Sequence, residues 1–344
     1  MKHISNHTPG QGDSDAESAP SARTAASERP VLGQPESARD LRVKVAWLYY
    51  VEGLTQERIA RFLGLSRAKI IRLLASAREV GIVRIRIDGR GSEQVALERS
   101  LIASFGLAEA VVVPAPAHDD DAAQVVGHAA GAYIAEQVED GMSIGAGWGA
   151  TLNHCLRALG SRSINRLSVV SLLGGMTHSR AVNPSAVARH IADAFGAECY
   201  QLTAPVVVAD ASIRDALWSE PGLRELLERA RNIDLAIVSV GDVSEQSTLF
   251  REGLLPASEL AGLVAAGAVG DVLCHFVDAQ GKVVGHPFNR RVVAVALDDL
   301  RRVPRIVVAA GGRRKVAAIR AALKATGARV LITDEAAARG LLER

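Results

Sequence analysis

The sequence predicts an α/β protein in two parts. An N-terminal winged helix-turn-helix domain precedes a larger Rossmann-like domain with a parallel sheet. Three observations carry this. From Leu54 to Gly81, two amphipathic stretches flank a turn too short for anything but a sharp helix crossing. From Ala110 onward, apolar runs of strand length alternate with stretches of helical period. Several of those runs end in Gly-rich turns, at Gly145–Gly149, Gly174-Gly175, Gly241-Asp242 and Gly311-Gly312. That is where open parallel sheets hold ligands.

The 344 residues suffice for two or three domains, and the net charge of +2 excludes a whole-chain polyanion-binding character. Cys155, Cys199 and Cys274 are widely spaced, suit a reducing cytoplasm and form no zinc pattern. The His residues make no HExxH array, so neither metal nor cofactor is expected. No apolar run approaches membrane-spanning length, and the N-terminus has no apolar signal core. There is no internal repeat.

Residues 1–37 are Ser, Ala, Pro, Gly, Asp and Glu with few large apolar side chains, and read as a disordered tail. Residues 38–90 form the helix-turn-helix unit. Leu41, Val45 and Leu48 supply a preceding amphipathic helix. Thr55 caps the second helix and Gly64 ends it; Ser66 caps the third and Gly81 closes it. Ile59, Ala60 and Leu63 share one face of the second helix, and Ile70, Leu73, Leu74 and Ala77 one face of the third. Leu41 to Arg90 holds 11 Lys/Arg against 4 Asp/Glu. Val83–Ile87 alternates apolar and basic residues, as a wing strand beside DNA would. In this motif the last helix enters the major groove. Ser66, Arg67, Lys69 and Arg72 at its start are the candidate DNA contacts, with Gln56 positioning the unit on the backbone. A solvated basic helix face is the plain alternative.

Residues 91–108 read as a linker helix whose Leu97, Leu101 and Phe105 pack on a partner subunit or equally on their own domain. The large domain then spans 109–344. Strands are expected at Val111–Val113, Met142–Ala146, Leu167–Leu173, Leu235–Val240, Val269–Val277, Val292–Ala296, Arg305–Ala309 and Arg329–Ile332. Helices are expected at Ala122–Val138, Ala150–Leu159, Pro184–Phe195, Pro256–Ala265, Arg314–Thr326 and Glu335–Leu342. Fully apolar strands of this kind belong to a sheet covered on both faces.

The turn Gly145-Ala146-Gly147-Trp148-Gly149 opens a helix at Ala150-Thr151, where free N–H groups and the Thr151 hydroxyl can hold an anion. Gly311 and Gly312 are followed by Arg313, Arg314 and Lys315 at another helix start, which suits a phosphate. Gly also serves as a plain tight turn, so each loop alone can be structural. GAGWGA does not fit GxGxxG, and no GxxxxGK[ST] occurs, which favours a small phosphorylated or polyhydroxylated ligand over a nucleotide. Asp271 can accept hydrogen bonds from sugar hydroxyls or simply cap a turn. His275 reads as a strand histidine. Asn183 and Asp334 read first as helix caps.

Taken in order, GLTQERIARFLGLSRAKIIRLLASAREVGIVRI, IGAGWGATL, SLLGGM, GAVGDVLCHFVDAQG, HPFNRRVVAV, AAGGRRKVAAI and ITDEAAARGLL resemble the SorC family of bacterial sugar-responsive transcriptional regulators, often grouped with DeoR-like proteins. The resemblance spans residues about 40 to 342. It implies an effector domain similar to sugar-phosphate isomerases and deaminases, a cytoplasmic homotetramer or dimer, and operator affinity set by a sugar, polyol or sugar phosphate. Carried over, Gly147, Trp148, Gly149 and Thr151 match the first effector loop, Gly174 and Gly175 the second, and Asp271 the acidic position. Gly311, Gly312 and Lys315 match the phosphate-side loop. Ala150 stands where Arg, Lys or Ser is frequent, and His275 where Arg or Gln is frequent, which leaves an unphosphorylated polyol or sugar open. Lys69 and Ile71 depart from the recognition helix, so no operator carries over. The rival reading is a sugar-phosphate isomerase or deaminase with an attached DNA-binding head. It needs a positioned acid and base, which spacing alone does not supply.

Overall fold

The computed structural model describes residues 38–83, 92–179 and 183–343. The N-terminal tail and all of the expected wing strand except Val83 lie outside them.

The helix-turn-helix consists of α1 (Ala38–Tyr50), α2 (Gln56–Leu63) and α3 (Arg67–Glu79). Its punctuation is chemical. The Thr55 hydroxyl accepts from Arg58 N and the Ser66 hydroxyl from Lys69 N, each at 3.2 Å. Each satisfies an N–H that a helix start leaves orphaned. Gly64 ends α2 at φ 66°, a left-handed conformation that a side chain would strain. Val45, Leu48, Ile59, Ala60, Ile70 and Leu74 form the core of this unit. Each large aliphatic side chain removed from water there contributes about 1.5–3 kcal/mol.

The large domain follows as α4 (Ser92–Phe105), β1 (Glu109–Val113), α5 (Ala122–Gln137), β2 (Ser143–Ala146), α6 (Ala150–Cys155), β3 (Ser168–Ser171), α7 (Pro184–Phe195) and β4 (Glu198–Tyr200). Next come α8 (Ala211–Ser219), α9 (Pro221–Arg231), β5 (Leu235–Val238), β6 (Val240–Asp242), α10 (Thr248–Arg251) and α11 (Ala257–Ala265). After these are β7 (Gly270–Val272), β8 (His275–Val277), α12 (Pro287–Arg290), α13 (Leu297–Leu300), β9 (Arg305–Ala309), α14 (Val316–Thr326), β10 (Val330–Asp334) and α15 (Glu335–Leu342).

Seven strands form one parallel sheet in the order β1-β10-β9-β5-β2-β3-β4, and β6-β7-β8 make a small antiparallel sheet. Alternation along the central strands divides the core in two. Leu235, Ile237, Val307 and Ala309 join one apolar cluster, while Ala236, Val238, Ile306 and Val308 join the other. Both faces are therefore covered, as the continuous apolar runs require.

Several boundaries differ from expectation. Val269–Val277 is a hairpin and not one strand: Leu273 and Cys274 turn at φ 50° and 65°. Both turn residues are buried, so apolar side chains stand where turns usually carry Gly or Asn. The run expected at Leu235–Val240 divides at Ser239, with β6 entering the small sheet. Val292–Ala296 makes isolated bridges from Val292 to Val207 and from Ala294 to Leu173. β4, α8 and α9 fall where no element was expected. α4 packs on its own domain: Leu97 and Leu101 are buried, and the Glu98 carboxylate accepts from Val112 N on β1 at 3.0 Å.

The α5–α6 contact positions the first ligand loop. A Cβ at Gly127 would lie 2.4 Å from the Thr151 carbonyl oxygen, and one at Gly131 would lie 2.3 Å from that of Cys155. Only glycines let α6 approach this closely.

Candidate ligand site and nucleic-acid interface

β9, β5 and β2 are adjacent at the centre of the sheet, so the loops that follow them share its carboxyl edge. After β2, Gly147 N donates to Ile237 O at 2.9 Å. Gly149 adopts φ 137°, and a Cβ there would lie 2.3 Å from the Ser239 hydroxyl. That hydroxyl donates to the Trp148 carbonyl at 2.6 Å, stitching this loop to the end of β5. The glycines of GAGWGA thus serve close approach between two loops. α6 begins directly after them, and Thr151 is only 1% exposed. Its Oγ1 is buried and has no partner in the protein. A hydroxyl in that state costs free energy unless a bound molecule completes it.

Asp271 sits on β7 opposite Gly241 on β6. A Cβ at Gly241 would lie 2.0 Å from Asp271 Oδ1, so that glycine makes room for the carboxyl group. Oδ2 accepts from Cys274 N at 3.1 Å. Burial pushes the Asp271 pKa up to about 7; the Cys274 N–H and Lys315 oppose the rise, and Asp242 adds to it. The carboxyl group therefore changes charge near neutral pH. The Lys315 ammonium donates to the Val240 carbonyl at 2.8 Å. Burial lowers its pKa, while Asp242 and Asp271 hold it up. Lys315 keeps some exposure along its stem, but its charged head is enclosed. Asp242, held by the Ser244 hydroxyl at 2.9 Å, completes this cluster.

The Gly311–Lys315 loop departs from a ready phosphate cradle. Gly312 N donates to Asp334 Oδ2 at 2.5 Å, and Arg313 N to Asp119 Oδ1 at 2.8 Å. Arg314 pairs with Asp120 at 2.5 Å and lies 3.7 Å from Asp119. Carboxylates thus occupy the N–H groups that a phosphate would take. A Cβ at Gly311 would lie 2.1 Å from Asp334 Oδ2, so this glycine admits the carboxylate. Asp334 also caps α15 through Ala337 N at 3.0 Å.

Gly174 and Gly175 follow β3, which lies beside β2 in the sheet. Gly174 N donates to Val293 O at 2.9 Å and Gly175 N to Ala204 O at 2.8 Å, so both N–H groups are used within the fold. Asn183 caps α7 and also takes Met176 N at 3.0 Å. Sequence reasoning did not single out Asp119, Ser239 or Asp242 as site residues. Only the Gly241-Asp242 turn carried any local signal. Among the described residues, no group of His, Cys, Asp and Glu is arranged to hold a metal ion.

On the helix-turn-helix, Arg67, Lys69 and Arg72 are exposed, while Ile70, Leu74 and Ala77 face the core. Gln56 opens α2 and is half-buried. The Ser66 oxygen is engaged in the α3 cap, which leaves its O–H as a donor. Ile71, beside Arg72, is 45% exposed.

Residues 90–343 match the family model described as "Putative sugar-binding domain". The erythritol catabolism regulatory protein EryD of Brucella abortus is 34% identical over 304 residues, covering 88% of this chain and 96% of its own. The deoxyribonucleoside regulator of Bacillus subtilis is 34% identical over 306 residues, covering 88% of this chain and 97% of its own. The crystal structure of the full-length sorbitol operon regulator SorC from Klebsiella pneumoniae superposes with a TM-score of 0.66 at 27% identity, covering 89% of this chain and 99% of its own.

Proposed function

The chain belongs to the SorC family of sugar-responsive transcriptional regulators, and on that premise we propose that its effector is a small unphosphorylated polyol or sugar. It is a DNA-binding regulator whose operator affinity a bound effector controls. The effector sits beyond the carboxyl ends of β2, β5 and β9. Thr151, Asp271 and Lys315 read its hydroxyls, and Asp242 keeps the site acidic. The observation that carries this reading is the occupation of the Gly312 and Arg313 N–H groups by Asp334 and Asp119. A phosphate would have to displace one carboxylate and sit close to another. Two further carboxyl groups, Asp242 and Asp271, already face Lys315. A neutral polyol meets no such repulsion, and its hydroxyls can both donate and accept. The regulator named for erythritol catabolism, at 34% identity, supports the same ligand class.

Arg67, Lys69 and Arg72 contact bases and nearby phosphates, and Gln56 sets the docking angle. The effector binds one state of the protein more tightly and shifts the population that fits the operator. The protein works as a homo-oligomer, because paired half-sites call for paired recognition helices. It works in the cytoplasm; among the described residues no helix is long and apolar enough to cross a membrane.

The test is thermal stability against sugars, polyols and their phosphates, since a ligand bound only by the folded state stabilises it. A shift with free polyols or sugars is expected. A shift confined to phosphorylated compounds refutes the charge argument. One observation favours a second reading. A carboxyl group titrating near neutrality beside an enclosed lysine could serve as an acid–base pair in an isomerase or deaminase. Turnover of pentose or hexose phosphates by the purified protein would establish that reading, and we propose that none occurs.

A further inference from the structure

A second concavity lies among α8, the start of β8, the 283–290 turn and the start of α13. Its volume is about 420 Å³, within the range of roughly 300–1,000 Å³ usual for small-molecule sites. Its lining includes neither the Gly147–Thr151 loop nor Asp271 nor the Gly311–Lys315 loop.

Its walls are held rigidly. Asn289 uses its whole amide: Oδ1 accepts from Phe276 N at 2.8 Å, and Nδ2 donates to Phe276 O at 3.1 Å and Val284 O at 2.8 Å. His286 Nδ1 accepts from Phe288 N at 3.2 Å. A preformed wall lowers the ordering cost of binding. Two guanidinium groups and one carboxylate, from Arg214, Arg290 and Asp298, line the space. Arg214 donates to Asp215 through Nε and Nη2, leaving Nη1. Arg290 is exposed, with no ion pair among the described residues.

His275 also lines this space, yet its Nε2 is buried without a partner. Burial and the neighbouring Arg214 pull its pKa down to about 4, so the ring is neutral at pH 7. The Val295 backbone works against that shift. A neutral imidazole offers one nitrogen as acceptor, and Nε2 is the one with no partner in the protein. The Asn289 amide is fully used, whereas this buried nitrogen is left without a partner.

We propose that this concavity is a second ligand site, for a small hydroxylated anion such as a sugar phosphate or a sugar acid. Arg214 and Arg290 bind the anionic group. His275 Nε2 and Asp298 accept from the hydroxyls. The site is separate from the one assigned to the neutral effector, so the two can be occupied together.

The test uses the full-length protein and glucose 6-phosphate as probe, with glucose and inorganic phosphate as controls. Binding is followed by titration calorimetry and by the His275 ring signals of ¹⁵N-histidine-labelled protein. Glucose 6-phosphate is expected to bind and to move the His275 signals. Arg290→Ser, at an exposed position that leaves the fold intact, is expected to weaken binding about tenfold or more, the size of a lost charge-assisted hydrogen bond. Lys315→Ala is expected to leave that binding unchanged. The proposal is overturned if glucose 6-phosphate does not bind, or if Arg290→Ser binds it as well as the parent does. It is equally overturned if Lys315→Ala abolishes binding, which would place the probe in the first site. Equal binding of inorganic phosphate, an adventitious ion only, overturns it as well, as does glucose that moves the His275 signals equally.

Discussion

Thr151→Val removes one hydroxyl and keeps the shape of the side chain. Thr151 is 1% exposed and its Oγ1 has no partner, so the unliganded protein carries the desolvation cost of that group. Such a cost is about 1–3 kcal/mol. The backbone of α6 at this point is set by its approach to Gly127, which the substitution does not touch. The unliganded variant should therefore be at least as stable as the parent. Relief of about 1 kcal/mol would raise Tm by roughly 2–4 °C in a domain of this size. Effector binding should move the other way. One lost hydrogen bond of about 1 kcal/mol weakens Kd about fivefold. Calorimetric unfolding and titration with the polyol that stabilises the parent most would give both numbers. A variant destabilised by more than about 1 kcal/mol with unchanged effector affinity would refute the reasoning, because the hydroxyl would then be structural.

Lys315→Met should abolish the effector response while leaving operator binding intact in a mobility-shift assay; a normal response would remove Lys315 from the site. The Asp271 pKa is raised from 3.8 to about 7 in the folded state, so the native protein binds the extra proton and stability falls as pH rises across that window. Asp271→Asn should remove this fall, whose full size is about 4 kcal/mol; parallel stability curves for variant and parent would contradict it. Gly241→Ala places a Cβ 2.0 Å from Asp271 Oδ1, and should cost about 1–3 kcal/mol in denaturant unfolding as well as effector affinity. Arg72→Ala should weaken operator binding across sequences and lower the log–log salt slope by about one if it contacts a phosphate, or relax specificity at one base position if it reads a base; a variant with unchanged affinity and slope would remove it from the interface.

The helix-turn-helix was legible almost to the residue. Thr55, Gly64 and Ser66 are local signals, and the structure uses them as such. The parallel strands were legible because burial on both faces leaves continuous apolar runs. The small sheet was less so. Leu273 and Cys274 form a turn, but being buried they look like strand. α8 has no buried residue to create a periodic signal, whereas α9 carries one in Leu223, Leu226, Leu227 and Ala230 that the expected elements left out.

The candidate site divides along the same line. The sequence by itself determined where the candidate loops fall, because Gly-rich turns after apolar strands are a local pattern. It offered Thr151 as part of an anion site, Lys315 as the cation of a phosphate site and Asp271 as an acceptor for sugar hydroxyls. Tertiary structure alone decided the charge of the site. Asp119 and Asp334 lie 194 and 22 positions in sequence from the N–H groups they occupy, and Asp271 reaches Lys315 only through the hairpin opposite Gly241. Electrostatic energy depends on distance and burial, and neither can be read from the order of residues along a chain.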